Sequence, residues 1–423
     1  MRKNYLWFNF FRFTIVKNGL KLFYKNIIIN GLDKIPKDKP LLILPNHQNS
    51  FMDAFVVVTN IKTITYFLTR AQAFNPPKVG KFLRSINLVP VYRARDGLSS
   101  VTKNNAIFEE CIEYLKMNQA ILIFPEANHN LKRRIRPLSK GFTRIAFDAE
   151  VQENWAMDLH VIPAGVNYYE HENIRNIVRV EIGDPILVKD FKEIHKKDER
   201  KAANLLKDRV SEEMKRLTMH VANLDHYNVC KILIAEMELD VLKVINPNVA
   251  NERVAKIEAN ITPEIIEVAN QVSNFSEKHK FNMKTIIGRE RPITAMVLLF
   301  PFYLFSWINN IIPYQPVRIL ISKVIKDHAF DASIKFLASL VLFPFFWIAI
   351  SSILWLAGLP SLYVMGYLIL SIFTSVLFKD VNLIVRERKE RTIIEKLKSS
   401  HPKEYEEFEK GLEKLNEFRK EVL

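Results

Sequence analysis

Between residues 26 and 188, short runs of apolar and β-branched residues alternate with stretches whose apolar positions recur at helical spacing. The runs Asn26–Ile29, Leu41–Leu44, Thr63–Leu68, Leu88–Tyr92, Ala120–Phe124, Val161–Asn167 and Val178–Ile182 read as strands. Val101–Met117 and Phe142–Val151 read as amphipathic helices. Strands separated by helices predict an α/β domain, a mostly parallel sheet flanked by helices. The loops at strand ends are then the expected home of any chemistry.

Other stretches follow other patterns. Residues 190–285 are charged, with Leu205, Val210, Met214, Leu217 and Val221 at helical spacing, which predicts a helical support or lid layer. Thr294–Ile312, Phe336–Leu356 and Leu362–Phe378 are strongly apolar. The last two approach the roughly 20 residues that span a bilayer core. The Ala-Gly-Leu-Pro-Ser turn between them forces a hairpin. The tail from Arg386 is charged and helical, interrupted at His401-Pro402. Its stripe of Phe408, Leu412, Leu415 and Phe418 is suited to packing. At the other end, Leu6, Trp7, Phe8, Phe10 and Phe11 alternate with Arg12, Lys17 and Lys21. This lacks the unbroken apolar core and small-residue cleavage site of a signal peptide. It predicts an amphipathic helix lying in a membrane interface, the alternative being a helix packed on the protein's own core. The expected organisation is therefore an interfacial helix (1–25), an α/β domain (26–190), a helical region (191–290), a membrane region (291–380) and a charged tail (381–423).

Charge sharpens the membrane reading. The chain of 423 residues carries a net charge of +15, which calls for a polyanionic partner, and the apolar clusters favour an anionic membrane over nucleic acid. Arg318, Lys323, Lys326 and Lys335 precede the hairpin, and Lys379, Arg386, Arg388, Lys389 and Arg391 follow it. By the positive-inside rule both ends of the hairpin are cytoplasmic. Thr294–Ile312, preceded by Arg289 and Arg291, then begins and ends on that same side. With Pro301, Asn309 and Asn310 inside it, this segment is read as re-entrant or interfacial. Cys111 and Cys230 give neither a disulfide framework nor a metal pattern, which fits a reducing compartment.

Four blocks carry candidate chemistry. Pro45-Asn46-His47-Gln48-Asn49-Ser50-Phe51-Met52-Asp53 follows an apolar strand. A neutral imidazole can take a proton near physiological pH, and a carboxylate on its other nitrogen fixes the tautomer. Asp53 is the only carboxylate between His47 and Asp96, so a local partner must be Asp53. Leu88-Val89-Pro90-Val91-Tyr92-Arg93 ends a strand on a guanidinium suited to a phosphate. Ile123-Phe124-Pro125-Glu126-Ala127, followed by Lys132, Arg133, Arg134, Arg136 and Lys140, sets a carboxylate before a basic run. The small residues in Val161-Ile162-Pro163-Ala164-Gly165-Val166-Asn167 would let backbone or substrate approach closely.

In this order, the four blocks resemble the glycerolipid acyltransferase family that includes the 1-acylglycerol-3-phosphate acyltransferases. That family has a His–Asp block, an Arg-ended strand, a Phe-Pro-Glu-Gly block and a late proline-containing strand. The resemblance covers about residues 25–190, and Gly183-Asp184-Pro185-Ile186 looks like the family's usual ending. It implies that His47 is the general base and Asp53 its orienter. It further implies that Arg93 binds the acceptor's phosphate, Glu126 contacts its glycerol portion, and Lys140 lies near the phosphate. The implied reaction transfers a fatty acyl chain directly from an acyl-CoA or acyl carrier protein thioester to a lysophospholipid, 1-acylglycerol 3-phosphate first among acceptors. No metal or further cofactor is required by this chemistry. Two departures stand out. Five residues separate His47 from Asp53 where the family leaves four, an added rotation of about 100° on a regular helix, so a bulge or looser turn must restore the contact. Ala127 stands where the family usually has glycine and would be strained if φ is positive. The alternatives are a lipid hydrolase using Ser50 as nucleophile, although no Gly-x-Ser-x-Gly elbow occurs, and a non-catalytic lipid-binding scaffold of the same fold.

Overall fold

Leu41, Leu42, Ile43 and Leu44 have no solvent exposure at all, as a strand covered on both faces requires. Burying each such side chain contributes roughly 1.5–3 kcal/mol, which is why this run anchors the sheet. The computed structural model describes residues 5–92, 99–288, 293–325 and 327–423, so Arg93, Arg289, Arg291 and Lys326 lie outside the described residues. Contacts divide the chain into two units. One comprises residues up to His171 together with Ile177–His220, and the other Glu172–Asn176 together with Val221–Leu423.

The first unit is built on strands β1 (Asn26–Asn30), β2 (Leu41–Pro45), β3 (Thr65–Arg70), β4 (Leu88–Val91), β5 (Ala120–Leu122), β6 (His160–Tyr168), β7 (Ile177–Ile182) and β8 (Ile186–Leu187). All seven expected strands form, and β8 is added by two residues pairing with β6. The sheet order is β1-β7-β6-β2-β5-β3-β4. From β6 to β4 every neighbouring pair is parallel, whereas β7 and β8 run antiparallel to β6. The carboxyl ends of β6, β2 and β5 thus meet at one edge, the place where open α/β sheets bind ligands.

Helices Ser99–Lys116 and Gly141–Gln152 contribute Cys111, Ile112, Leu115, Phe142, Ile145 and Ala149 to the core against the sheet. The expected boundary at 190 is too early. Helix Glu199–Leu217 inserts Ala202, Leu206, Val210 and Met214 into that same core, so the unit extends to His220. Gly165 shows why β6 has small residues: a Cβ there would collide with the Leu217 carbonyl oxygen. The close approach foreseen at this block is therefore made by backbone. Asn167 seals it, donating to Leu217 O at 2.9 Å.

The N-terminal segment is helical from Tyr5 to Phe23, as expected, with one side packed on protein and another exposed. Phe8, Val16, Leu20 and Phe23 are buried, while Leu6 and Phe10 are 83% and 51% exposed. Arg12 departs from the expected headgroup-facing side. It is buried and donates to the carbonyls of Thr63 (2.9 Å) and Lys62 (3.1 Å), closing the turn before β3. Burial pulls its pKa down to about 10, still well above neutrality.

In the second unit, three apolar helices span Ile293–Ile319, Asp331–Leu356 and Ser361–Ser400. With the short helical turns that flank the first two, Val297–Lys323 and His328–Leu356 are long and apolar enough to cross a membrane, and their side chains are mostly exposed. The second and third form the expected hairpin, with Gly358 at φ +90° in its turn. Asn309 and Asn310 are paired rather than stranded in apolar surroundings. Tyr367 donates to Asn309 Oδ1 (2.7 Å), Asn309 donates to Ser371 Oγ (3.0 Å), and Trp347 donates to Asn310 Oδ1 (2.9 Å). The tail breaks at His401 as read, and helix Pro402–Val422 buries Phe408, Leu415 and Phe418 against helix Pro263–Lys278. One grouping was invisible to sequence spacing. Ligand-type atoms of Glu172, His328 and Asp331 lie within 4.8 Å of one another, beside the Lys335 ammonium that donates to Glu172 O.

Candidate active site

β2 ends at Pro45, and the next residues leave the sheet without yet entering a helix. Asn46, fully buried, bridges back to β6 by accepting from Val166 N (2.6 Å) and donating to Val166 O (3.2 Å). This fixes the point from which His47 departs. Asn49–Met52 then form a tight turn, with Met52 N donating to Asn49 O at 3.0 Å. Ser50 sits at φ 48°, ψ −126°, the first central position of a type II′ turn, which normally calls for glycine. The turn absorbs the extra residue between His47 and Asp53. Asp53 consequently enters on the first turn of helix Phe51–Val58 facing His47.

The contact expected from sequence is present: His47 Nδ1 lies 3.0 Å from Asp53 Oδ2. The same oxygen accepts from Gln48 N (2.9 Å) and Asn49 N (2.8 Å), while Oδ1 accepts from the Tyr168 hydroxyl (2.8 Å). Burial and the Asp53 carboxylate raise the Tyr168 phenol well above its ordinary range, so it remains a neutral donor. Asp53, with its side chain fully buried, is thus hydrogen-bonded on both oxygens. With Nδ1–H directed at Asp53, Nε2 is the imidazole's acceptor nitrogen. The ring itself stacks on Phe124, centroids 3.8 Å apart and planes 9° apart, and its side chain is 14% exposed.

Glu126 is brought to the same place by β5, but it comes from behind. Its Oε1 accepts from His47 N at 3.0 Å, and its Oε2 accepts from Arg136 N (3.1 Å) and Arg136 Nε (2.9 Å). The side chain is only 2% exposed. Where the sequence reading gave this carboxylate to an acceptor, its visible task is to brace the His47 loop. Ala127 does adopt a positive φ, 61°. Left-handed backbone costs a residue with a Cβ roughly 1–2 kcal/mol. Ala127→Gly is therefore expected to raise stability by about 1 kcal/mol with activity retained, read as a higher thermal midpoint in detergent. A lower midpoint would show that the turn relies on the methyl group.

Lys140, exposed, precedes helix Gly141–Gln152, and Ser139 N donates to Pro125 O at 2.7 Å, which ties it to the Glu126 block. Arg93 lies outside the described residues. Tyr92, just before it, is clamped by Asn104, which accepts from Tyr92 N (2.9 Å) and donates to Tyr92 O (2.7 Å). β4 ends at the same sheet edge, three strands from β2. The sequence reading missed Tyr168 and His171, and it named Arg136 only as one member of a basic run, without its pairing to Glu126. Only the Tyr-Tyr-Glu-His run straight after a strand could have flagged the two that were missed. His171 Nε2–H donates to Gln48 Oε1 (3.0 Å), and Asn49 donates to His171 O (2.8 Å), so this loop roofs the His–Asp block.

Burial lowers the His171 pKa to about 3 and the His220 pKa to about 4. Unfolded histidine titrates near 6.5. Between these values the folded state binds fewer protons than the unfolded state, so stability rises with pH through the window and is lost as pH falls from about 6.5. The thermal midpoint should therefore drop steadily below pH 6.5. His171→Gln should flatten that drop, and an unchanged pH slope in the variant would overturn the assignment.

These features agree with comparisons to known proteins. Residues 26–167 match the Acyltransferase family model. This stretch is an acyltransferase domain. Similar proteins include glycerol-3-phosphate O-acyltransferase 1 of Saccharomyces cerevisiae, 28% identical over 82 residues, 19% of this chain. Glycerol-3-phosphate O-acyltransferase 2 of the same yeast is 24% identical over 123 residues, 29% of this chain. The matches span only 11% and 16% of those two proteins. Among solved structures, the 1-acyl-sn-glycerophosphate (LPA) acyltransferase PlsC of Thermotoga maritima aligns at 21% identity with a TM-score of 0.35, covering 51% of this chain and 84% of that one. The acyltransferase domain thus holds His47, Asp53, Arg93, Glu126 and Lys140 of the sequence reading, together with Asn104 and Arg136.

Proposed function

We propose that the protein is a membrane-bound glycerolipid acyltransferase with His47 as its general base. The observation that carries this reading is the His47 imidazole held by Asp53 through Nδ1 at 3.0 Å, with Nε2 as acceptor at the carboxyl edge of a parallel sheet. Nε2 takes the proton of the acceptor hydroxyl as its oxygen attacks the thioester carbonyl. Asp53 stabilises the imidazolium so formed. Collapse of the tetrahedral adduct expels the thiolate, which takes the proton back from Nε2. Neither a covalent acyl-enzyme nor Ser50 takes part.

The donor is a fatty acyl thioester, acyl-CoA or acyl carrier protein. The acceptor is 1-acylglycerol 3-phosphate, giving phosphatidate, with Arg93 and Lys140 as its phosphate partners. Glycerol 3-phosphate is the second reading, favoured by the likeness to two yeast glycerol-3-phosphate O-acyltransferases. Exposed Trp7, Phe10 and Phe13, with Val79 and Phe82 of helix Pro77–Ser85, provide an apolar face. Lys78 and Lys81 on that same helix suit anionic headgroups. The catalytic domain is assigned to the cytoplasmic side.

The test is acyl transfer by purified protein in mixed micelles, with both donors against 1-acylglycerol 3-phosphate, other lysolipids and glycerol 3-phosphate. The 1-acyl acceptor should give the highest kcat/KM, and Ser50→Ala should stay active. A preference for glycerol 3-phosphate would replace the acceptor assignment. Loss of activity in folded Ser50→Ala would favour a hydrolase. Lipid binding without turnover across the panel would leave only a scaffold.

A further inference from the structure

Both flanks of the apolar region meet one another. Arg391, in the charged last turns of the third helix, donates to Gly288 O before the first at 2.8 Å, and Glu390 accepts from Asn282 N at 3.1 Å. Farther out, Phe275 stacks on Phe408 at 4.7 Å, and Lys278 pairs with Glu404 at 2.7 Å. The chain therefore enters and leaves this region on one side, and the number of complete crossings must be even. Three apolar helices cannot all cross.

The contacts among them identify the exception. The first helix runs antiparallel to the third: Tyr303 stacks on Phe378, Asn309 donates to Ser371, and Phe305 meets Tyr367. The second is also antiparallel to the third, through their short turn. Lys335 and Arg386 bind the adjacent residues Glu172 and Asn173, which sets their two helices level at the base. The first and second helices therefore point the same way, and Trp347 on Asn310 places those residues at one depth.

From Trp347 back to Asp331 is about 24 Å of helix, toward the base. Were the first helix straight, Val324 would lie about 21 Å beyond Asn310 in the opposite direction. The seven residue steps from Val324 to Asp331 reach about 25 Å fully extended, against a separation of about 45 Å. A straight first helix cannot close that distance. Its course must reverse after Asn310, and the chain supplies Pro313 and Pro316 there, residues that remove helix hydrogen bonds and bend the axis. Pro313 and Val317 are buried, so the bent backbone is shielded by protein, the condition under which irregular backbone is tolerated at membrane depth.

We propose that the first apolar helix is a re-entrant limb in a lipid bilayer. It enters from the base, turns back near Pro313 and leaves on the side it entered, while the second and third helices cross as a hairpin. The lipid-facing side chains include Leu298, Val341, Phe345, Leu362 and Ile369, all 65% exposed or more. Arg318 and Lys323 lie on the returning limb, joining Lys335 and Arg386 at the base, as the positive-inside rule requires. The proposal rests on the membrane reading and is independent of the acyl-transfer chemistry.

Three near-isosteric variants of the full chain test it: Ser322→Cys at the end of the returning limb, Ser361→Cys at the hairpin turn and Ser400→Cys at the far end of the third helix. All three serines are exposed, and Cys111 and Cys230 are fully buried, so the wild type serves as the blank. Sealed membrane vesicles of each orientation are labelled with an impermeant maleimide, and permeabilised vesicles report total reactivity. The expected pattern is Ser322→Cys and Ser400→Cys labelled from one side and Ser361→Cys from the other. Labelling of Ser322→Cys from the Ser361→Cys side, or only after permeabilisation in both orientations, would overturn the return. Labelling of all three from one side would overturn the hairpin. Acyl-transfer assays of the same variants separate this outcome from failure of the enzymatic reading, since the labelling pattern does not depend on turnover.

Discussion

On the proposed reading, replacing His47 by alanine should lower acyl transfer by about a thousandfold, within the range that a positioned general base supplies. The effect should fall on kcat, because in that reading the imidazole acts on the proton lost during attack and contributes little to holding either substrate. Residual turnover persists from positioning alone. The fold tolerates the change, since the Asp53 carboxylate keeps its contacts with Gln48 N, Asn49 N and the Tyr168 hydroxyl. The measurement is steady-state transfer in mixed micelles, with the thermal midpoint as a folding control. A folded His47→Ala protein that retains wild-type kcat would remove His47 from the reaction.

Asp53→Asn carries the second large effect, on both activity and stability. An amide in place of the carboxylate turns an NH2 toward groups that are themselves donors: His47 Nδ1, two backbone N–H groups or the Tyr168 hydroxyl. Breaking a buried charge-assisted cluster costs about 3–5 kcal/mol, so a marked fall in thermal midpoint is expected. On the reading in which Asp53 acts through His47, kcat should drop by about a hundredfold or more, with KM changed by no more than about threefold. Tyr168→Phe removes one donor and spares the other contacts. Its cost is about 1 kcal/mol, with kcat lowered far less than in Asp53→Asn. A destabilised Asp53→Asn enzyme with unchanged kcat at a permissive temperature would make Asp53 a folding residue only.

The sequence by itself determined the strands, because a two-sided buried run such as Leu41–Leu44 has little choice of environment, and every expected strand forms. It also determined the hairpin turn and the break at His401-Pro402, where local chemistry stops a helix. The His47–Asp53 pair was legible as the only local option, and the loosened turn that its spacing demanded is present at Ser50. Other features depended on long-range packing. Glu126 faces His47 N and Arg136 because β5 lies beside β2, an adjacency that no local pattern encodes. Tyr168 reaches Asp53 across 115 positions because β6 flanks β2 on its other side. The unit boundary moved to His220 because one helix face found its apolar partners in the sheet core, more than forty residues upstream. Asn309 and Asn310 looked out of place in an apolar run until the neighbouring helices brought Tyr367, Ser371 and Trp347 to them. Local periodicity fixes which face of an element is apolar, but strand order and helix packing decide which polar groups meet there, and the chemistry of this site depends on those meetings.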